Sequence, residues 1–292
     1  MGWLVTAVGA ALIAVALRDV FHTLWHPSGH GGLSTSVTSS LWRISRRSGF
    51  PARLAAVVGP AAMATVVVMW TSIIVTGWTL VYWPHMPGGF SFAPGLETEQ
   101  RSDVLDALYL SLVTVGTLGF GDVVPTTGWL RLATPVQGLI GFALLTAAVS
   151  WLGQIHPAVT RRRVLALRLA SLRKAAEAGG PPDAAFTAGL LESLAADVNH
   201  VTVDLSQHTE TYYFHDGKGG RSLAAMIGYA GDLALLGRTS RSADVRLGAT
   251  MLVIALEEFS SLLRRQFVEA EGTFMDVFAA YAHDHGCSLV RG

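Results

Sequence analysis

The chain has 292 residues, of which 51% are hydrophobic and only 14% charged, with a formal net charge of +0 and one cysteine, Cys287. Soluble domains carry about 25% charged residues, so this composition excludes disorder and a protein wholly surrounded by water. A lone cysteine excludes a disulfide scaffold, and balanced charge gives no pointer to nucleic acid.

The averages conceal a division. All 8 tryptophans lie within the first 151 residues. Residues 1–155 carry 7 Lys+Arg and 6 Asp+Glu, whereas residues 156–292 carry 14 and 15. The first half has the composition of membrane spans and the second that of a water-facing domain.

In chain order, residues 1–25 read as a first spanning helix. It is uncharged from Met1 to Leu17 and ends at the charged pair Arg18-Asp19. Trp3 and Trp25, roughly 33 Å apart on a helix, suit a belt at each interface. A cleaved signal peptide fits poorly, because no positive charge precedes the apolar stretch. Residues 26–54 read as a cytoplasmic loop holding Arg43, Arg46, Arg47 and Arg53 and no acid. His22, His26 and His30 repeat every fourth residue, but Pro27 and Gly29 break the helix that would align them, so they read as interfacial rather than metal-binding. Ala55–Trp83 and Leu132–Thr160 are each runs of 29 residues without a charge, long enough to cross a bilayer.

Loop charges set the expected orientation. Residues 84–106 hold Arg101 against Glu97, Glu99, Asp103 and Asp106, while residues 157–174 hold Arg161, Arg162, Arg163, Arg168, Arg173 and Lys174 without an acid. The positive-inside rule then places the N-terminus outside and the C-terminal half in the cytoplasm.

Between the two long runs lies a short apolar helix, expected over 103–115, capped by Ser102 with Asp103 in its first turn. It is too short to span and runs into Thr117-Leu118-Gly119-Phe120-Gly121-Asp122, a glycine-alternating segment that reads as a re-entrant loop.

Thr114-x-x-Thr117-x-Gly119-Phe120-Gly121-Asp122 resembles the signature of potassium channels of the two-helix pore-loop type, and the resemblance extends over about residues 55–155. It implies an outer helix (55–83), a pore helix (103–115), a filter (117–121) and an inner helix (130–155), followed by a cytoplasmic domain (156–292). It further implies K⁺ held by Thr117, Leu118, Gly119, Phe120 and Gly121, with Thr114, Tyr109 and Asp122 as support. Gly141 falls where the family carries a gating glycine. Departures are Phe120 for the commoner Tyr, Leu118 for Val or Ile, Val113 where some members place a Glu, and Tyr109 where many have a Trp bonded to the Asp. Asp122 then needs another partner.

The residues support that reading by themselves. A dehydrated K⁺ needs rings of oxygens, and backbone carbonyls supply them if successive residues alternate in handedness, which glycine permits. One chain holds one such loop, and a closed cage needs four, so a homotetramer in the lipid bilayer is expected. Gly138 and Gly141 serve either close helix packing or a hinge. Val149, Gly153 and Pro157 are the expected constriction near the inner mouth. Pro157 should end or kink the inner helix, and Arg161–Arg163 should lie in the anionic inner-leaflet field.

The second half reads as helical throughout. Apolar stripes run through Leu165, Leu169 and Leu172; Phe186, Leu190, Leu194 and Val198; Leu223, Met226 and Ile227; Leu252, Ala255, Phe259 and Leu262; and Phe274, Val277, Phe278 and Tyr281. No dinucleotide fingerprint or β-roll pattern is visible, so the regulatory ligand stays unassigned. His200, Asp204, His208, Glu210, His215 and Asp216 could bind metal, but their spacing matches no known site, and they read as a solvated surface with Asp216–Gly220 in a polar loop. No catalytic constellation or cofactor is expected beyond K⁺ as permeant ion. The sequence therefore reads as an all-α membrane protein of the plasma membrane: a tetrameric potassium channel with three spanning helices per chain and a helical cytoplasmic domain. A non-selective cation channel, a subunit of a potassium uptake system and a membrane sensor are the open alternatives.

Overall fold

The computed structural model describes residues 2–24, 31–47, 52–94, 103–179, 187–216 and 222–292. Trp25, His26, His30, Glu97, Glu99, Arg101, Ser102, Phe186 and residues 217–220 lie outside them. The helices are α1 (Gly2–Leu24), α2 (Gly32–Arg47), α3 (Ala52–Tyr82), α4 (Val104–Val115), α5 (Gly128–Gly179), α6 (Ala188–Gln207), α7 (Leu223–Arg238), α8 (Ala243–Gln266) and α9 (Phe274–Asp284). Strands β1 (Phe90–Phe92) and β2 (Val123–Pro125) pair antiparallel, with Ser91 opposite Val124. Two compact units result, one formed by residues up to Thr38 with Ala61–Gly153, the other by Ser39–Pro60 with Gln154–Gly292.

Among the described residues, three helices are long and apolar enough to cross a membrane: Gly2–Leu24, Val57–His85 and Gly128–Gly179. Helix α1 packs on α3 through glycine. A Cβ at Gly9 would strike the Gly77 carbonyl, and one at Gly77 would come within 2.7 Å of Ile13 Cγ1. With lipid tails as apolar as leucine, this close backbone approach is what favours pairing of two spanning helices. The charged pair expected at the end of α1 is split. Arg18 is exposed, whereas Asp19 is buried and its carboxylate accepts from Trp70 Nε1 at 2.8 Å and from the Leu33 and Ser34 N–H groups at 2.9 and 3.2 Å.

Those last two contacts correct the expected loop over 26–54, much of which is helix α2. Its first N–H groups would otherwise be orphans, and Asp19 supplies the acceptor from another helix. The buried face of α2 runs Ser34, Thr38, Trp42 and Ser45. That face is helical in spacing but mostly hydroxylic, so hydrophobic periodicity does not reveal it.

A second correction concerns Pro157. Helix α5 continues without interruption from Gly128 to Gly179, 52 residues, straight through Pro157. Proline removes one N–H and crowds the carbonyl four residues back. Here that residue is Gly153, and packing holds the turns around it, with Ile155, Ala158 and Val159 buried. Helix α3 likewise contains Pro60.

The second unit packs the distal part of α5 with α6–α9. Leu165 and Leu169, Leu191 and Leu194, Leu223 and Ile227, Leu252, Leu256 and Phe259, and Val277, Phe278 and Tyr281 form one core. The arginines that open this region each have an acidic partner. Arg161 Nη2 lies 2.6 Å from Asp204, Arg162 Nε lies 2.7 Å from Asp216, and Arg163 Nε lies 3.4 Å from Asp216. Arg162 and Asp216 are buried together, so the pair satisfies charges that neither could hold there alone.

The solvated-surface reading is corrected for two of the six residues, while His200 is exposed and Asp204, His208 and His215 are half-buried. Glu210 and Asp216 are buried, and no metal-ready cluster occurs among the described residues. Burial pushes the Glu210 carboxyl up to about 7. His285 lies against Trp42 and Tyr212 at ring distances of 5.2 and 4.8 Å, and burial and Arg162 push it down to about 4.

Two predictions follow from these contacts. Gly77→Leu should drive α1 from α3 and lower the unfolding midpoint of the detergent-solubilised protein by several degrees, read by tryptophan fluorescence. Gly88→Leu, at a position with open space around its Cα, should leave it unchanged. Glu210 retains a proton in the folded state that the unfolded chain releases above 4.5, so its contribution to stability declines as pH rises from 4.5 to about 7 and is level above that. His285 acts in the opposite sense, losing stability as pH falls from 6.5 towards about 4. Glu210→Gln should therefore raise the unfolding midpoint at pH 8, by up to about 3 kcal/mol of stability, and leave it unchanged near pH 4. An equal effect at both pH values would contradict the assignment.

Candidate functional site

Asp103 is the N-cap of α4, its carboxylate accepting from the Val104 N–H at 2.6 Å, while the expected cap Ser102 lies outside the described residues. Ala107, Leu110, Ser111 and Val113 are buried, so α4 is held along most of its length. The chain leaves α4 at Gly116 and turns sharply. The Thr117 N–H donates to the Thr114 carbonyl at 3.0 Å, and the Leu118 N–H to the Val113 carbonyl at 2.9 Å. The loop is thus suspended from the last turn of the helix.

Beyond this point the backbone alternates. Thr117, Gly119 and Gly121 have φ of 55°, 56° and 76°, while Leu118 and Phe120 between them do not enter the left-handed region. Glycine adopts such angles without steric penalty; Thr117 does so at a cost of about 1–2 kcal/mol. Its conformation has no glycine to announce it, and sequence reasoning missed it. Leu118 and Phe120 are 61% and 65% exposed in the single chain, leaving one side of the loop uncovered.

The loop is closed at its far end by two contacts. The Tyr109 hydroxyl donates to Asp122 Oδ2 at 2.6 Å. That supplies the partner Asp122 needs and brings two of the expected support residues together. The Ala93 N–H donates to the Asp122 carbonyl at 2.9 Å, and the β1–β2 pair carries this link onward.

The expected gate residues all lie on α5, with Val149, Gly153 and Pro157 following one another at four-residue steps. Gly141 faces the end of α4, where a Cβ would collide with the Val115 carbonyl, so close packing accounts for this glycine. Gly138 lies near the Thr114 carbonyl, 3.8 Å from where its Cβ would be. Val149 is 65% exposed, and Gly153 has nothing near the place of a Cβ. Sequence reasoning also passed over Ser111 and Gln137, fully buried on α4 and α5 and hydrogen-bonded to each other. A glutamine within an uncharged apolar run was the available signal.

Comparison with known proteins bears on this arrangement. The ion channel family profile matches residues 66–156. The uncharacterized membrane protein YdjJ of Bacillus subtilis is 29% identical over 170 residues, 56% of this chain and 48% of that protein. Two-pore potassium channel 5 of Arabidopsis thaliana is 41% identical over 56 residues, 19% of this chain and 13% of that protein. A Rhodopseudomonas palustris protein provisionally named a potassium channel is 22% identical over 191 residues, 59% of this chain and 45% of that protein. The chain thus spans about half, or less, of the length of these curated relatives. No solved structure matches. The matched segment, residues 66–156, thus holds most of α3, all of α4, the glycine loop and the first part of α5, with one more apolar helix ahead of it, and through this segment the chain is similar to ion channels.

Proposed function

We propose that four copies of this chain form a potassium-selective channel of the plasma membrane, conducting K⁺ passively through Thr117–Gly121. The observation that carries the reading is the alternation of φ at Thr117, Gly119 and Gly121. Alternating handedness lets the carbonyls of Thr117, Leu118, Gly119 and Phe120 aim at one axis, with the Thr117 hydroxyl below them. Four such strands replace the water shell of a K⁺ ion. The C-terminal end of α4 adds its partial negative charge on the inner side and favours a cation there. Two relatives carry potassium-channel names, which agrees with this chemistry.

Gating belongs to α5 in this reading. The uncovered side chains of Val149 and the turn at Gly153 and Pro157 line the narrow inner end, and Gly141 stays a packing glycine. The inner helix does not stop at Pro157, so a rearrangement of the cytoplasmic unit is carried into the pore through continuous helix rather than through a hinge at the proline. The stimulus is supplied by the soluble unit.

The reversal potential in asymmetric K⁺ and Na⁺, recorded from purified protein in planar bilayers, tests the proposal directly. A value at the K⁺ equilibrium potential supports it; a value near zero assigns a non-selective cation pore instead. Gly119→Ala should abolish selectivity or conduction. Alanine at φ 56° meets no neighbour, so the effect comes from the left-handed backbone alone, about 1 kcal/mol or more in each of four subunits. Wild-type permeability in that variant would remove Gly119 from the filter.

Orientation is tested separately. In a Cys287→Ser background, cysteines at Gly2 and Gly88 should both react with a membrane-impermeant thiol reagent applied from outside. Labelling at Gly2 only after permeabilisation would place the N-terminus inside.

A further inference from the structure

A line of polar groups crosses three helices behind the filter loop. The Tyr82 hydroxyl on α3 donates to Gln137 Oε1 on α5 at 2.6 Å. Gln137 Nε2 donates to the Ser111 carbonyl on α4 at 3.0 Å and to Ser111 Oγ at 2.9 Å. Ser111 Oγ in turn donates to the Val75 carbonyl at 3.0 Å, returning to α3. Tyr82, Ser111 and Gln137 are each 0% exposed.

Such groups have no water to turn to. A buried amide in an apolar membrane segment is tolerated only when its polar atoms are paired. Gln137 meets that demand with its oxygen and both of its N–H hydrogens. Helix packing alone does not call for it, since leucine would fill the same space without the penalty. The specific property of Gln137 is that it bonds two other helices at once, and that it does so at the centre of α4.

That point lies one turn or less from the atoms that suspend the filter. Val113 and Thr114, whose carbonyls receive Leu118 and Thr117, are two and three residues beyond Ser111. The far end of the loop has its own tether, Tyr109 to Asp122. Between them Phe120 has no hydroxyl with which to hold the filter against its surroundings. The near end therefore depends on how firmly α4 is fixed along its own axis.

We infer that Gln137 is a positioning residue for the ion filter: through Ser111 it fixes α4 between α3 and α5, and so sets the spacing of the oxygens that α4 suspends. The inference rests on reading Thr117–Gly121 as a K⁺ filter. It assigns Tyr82 the role of orienting the Gln137 amide, which would otherwise be free to present either its oxygen or its nitrogen to Ser111. It also explains why an amide stands in a stretch, Leu132–Gly153, where every other residue is apolar, small or hydroxylic.

Full-length protein in planar bilayers tests this with three variants, reading the K⁺/Na⁺ permeability ratio and the decay of current as external K⁺ is withdrawn. Gln137→Leu should lower the ratio about tenfold or more and hasten the decay. Tyr82→Phe removes one oxygen atom and should shift both in the same direction by about threefold. Gln137→Glu, recorded at pH 5, presents a protonated carboxyl that can accept from Tyr82 and donate to Ser111, and should restore both readings to within about twofold of wild type. If Gln137→Leu fails to assemble, Tyr82→Phe carries the test, because it leaves the packing intact. Wild-type ratios and decay in Tyr82→Phe, or a Gln137→Glu channel no better than Gln137→Leu, would reduce Gln137 to packing and overturn the inference alone. A wild-type channel that passes Na⁺ as readily as K⁺ would overturn the filter reading, and this inference with it.

Discussion

Non-helical backbone at membrane depth must have its polar groups met by protein or by the ion pathway, and the pore unit is organised around that constraint. Residues 116–122 leave the helix, and the two ends of the segment keep backbone bonds. The N–H groups of Thr117 and Leu118 fold back onto carbonyls of Thr114 and Val113, which the end of α4 would otherwise leave open. The same two bonds satisfy the helix terminus and fix the start of the loop. Several contacts in the unit then serve to hold α4. Its N-terminus is capped by Asp103, its middle is bonded to α3 and α5 through Ser111, and its C-terminus lies against Gly141. The loop inherits its position from these contacts and adds the Tyr109–Asp122 and Ala93–Asp122 bonds at its far end.

Helix α5 carries the consequence beyond the pore unit. It is one helix of 52 residues, and its first part packs against α4 while its last part belongs to the core of the second unit. Three arginines follow Pro157 closely, and each has an acidic partner in the second unit. Arg162 with Asp216 is the decisive pair. An ion pair buried on both sides is costly to separate, because either charge alone would be left without water or partner. Within the second unit α5 is therefore held close to the point where the apolar run ends. A surface attachment to anionic lipid would be weaker and would be screened by salt.

Much of this was legible in the amino-acid sequence, and the parts that were not share a cause. The three apolar helices, the short pore helix and the stripes of the soluble core follow from hydropathy and period, which report the solvent a residue faces. Helix α2 escaped because its buried face is Ser34, Thr38 and Ser45 around a single Trp42, polar by composition though helical by spacing. Glu210 and Asp216 read as surface for the same reason: a charged side chain is assumed to face water until a partner such as Arg162 is known. The two strands are three residues each, too short for any alternation to register. Thr117 shows no local signal because its left-handed backbone is imposed by the alternation of the loop around it, not by its own side chain. Pro157 misled in the other direction: its penalty is real, but the packed turns on each side outweigh it.

What sequence periodicity cannot express is which polar group meets which, and in this chain those meetings decide the pore unit. Asp19 and Gln137 both interrupt apolar runs, and a hydropathy profile treats both as defects in a spanning helix. Each is instead a junction of three elements. Asp19 joins α1 to the start of α2 and to Trp70 of α3, and Gln137 joins α5 to α4 and to Tyr82 of α3. Apolar contacts between helices in lipid are nearly indifferent to a small slide along the helix axis, because one methyl group replaces another at little change in energy. A hydrogen bond loses its value over about an ångström of such motion. The ion filter proposed here needs its oxygens held to finer tolerance than apolar packing provides. The buried amide and carboxylate are where that tolerance enters, and helix α3, which meets both, is the fixed reference against which the other helices of the pore unit are set.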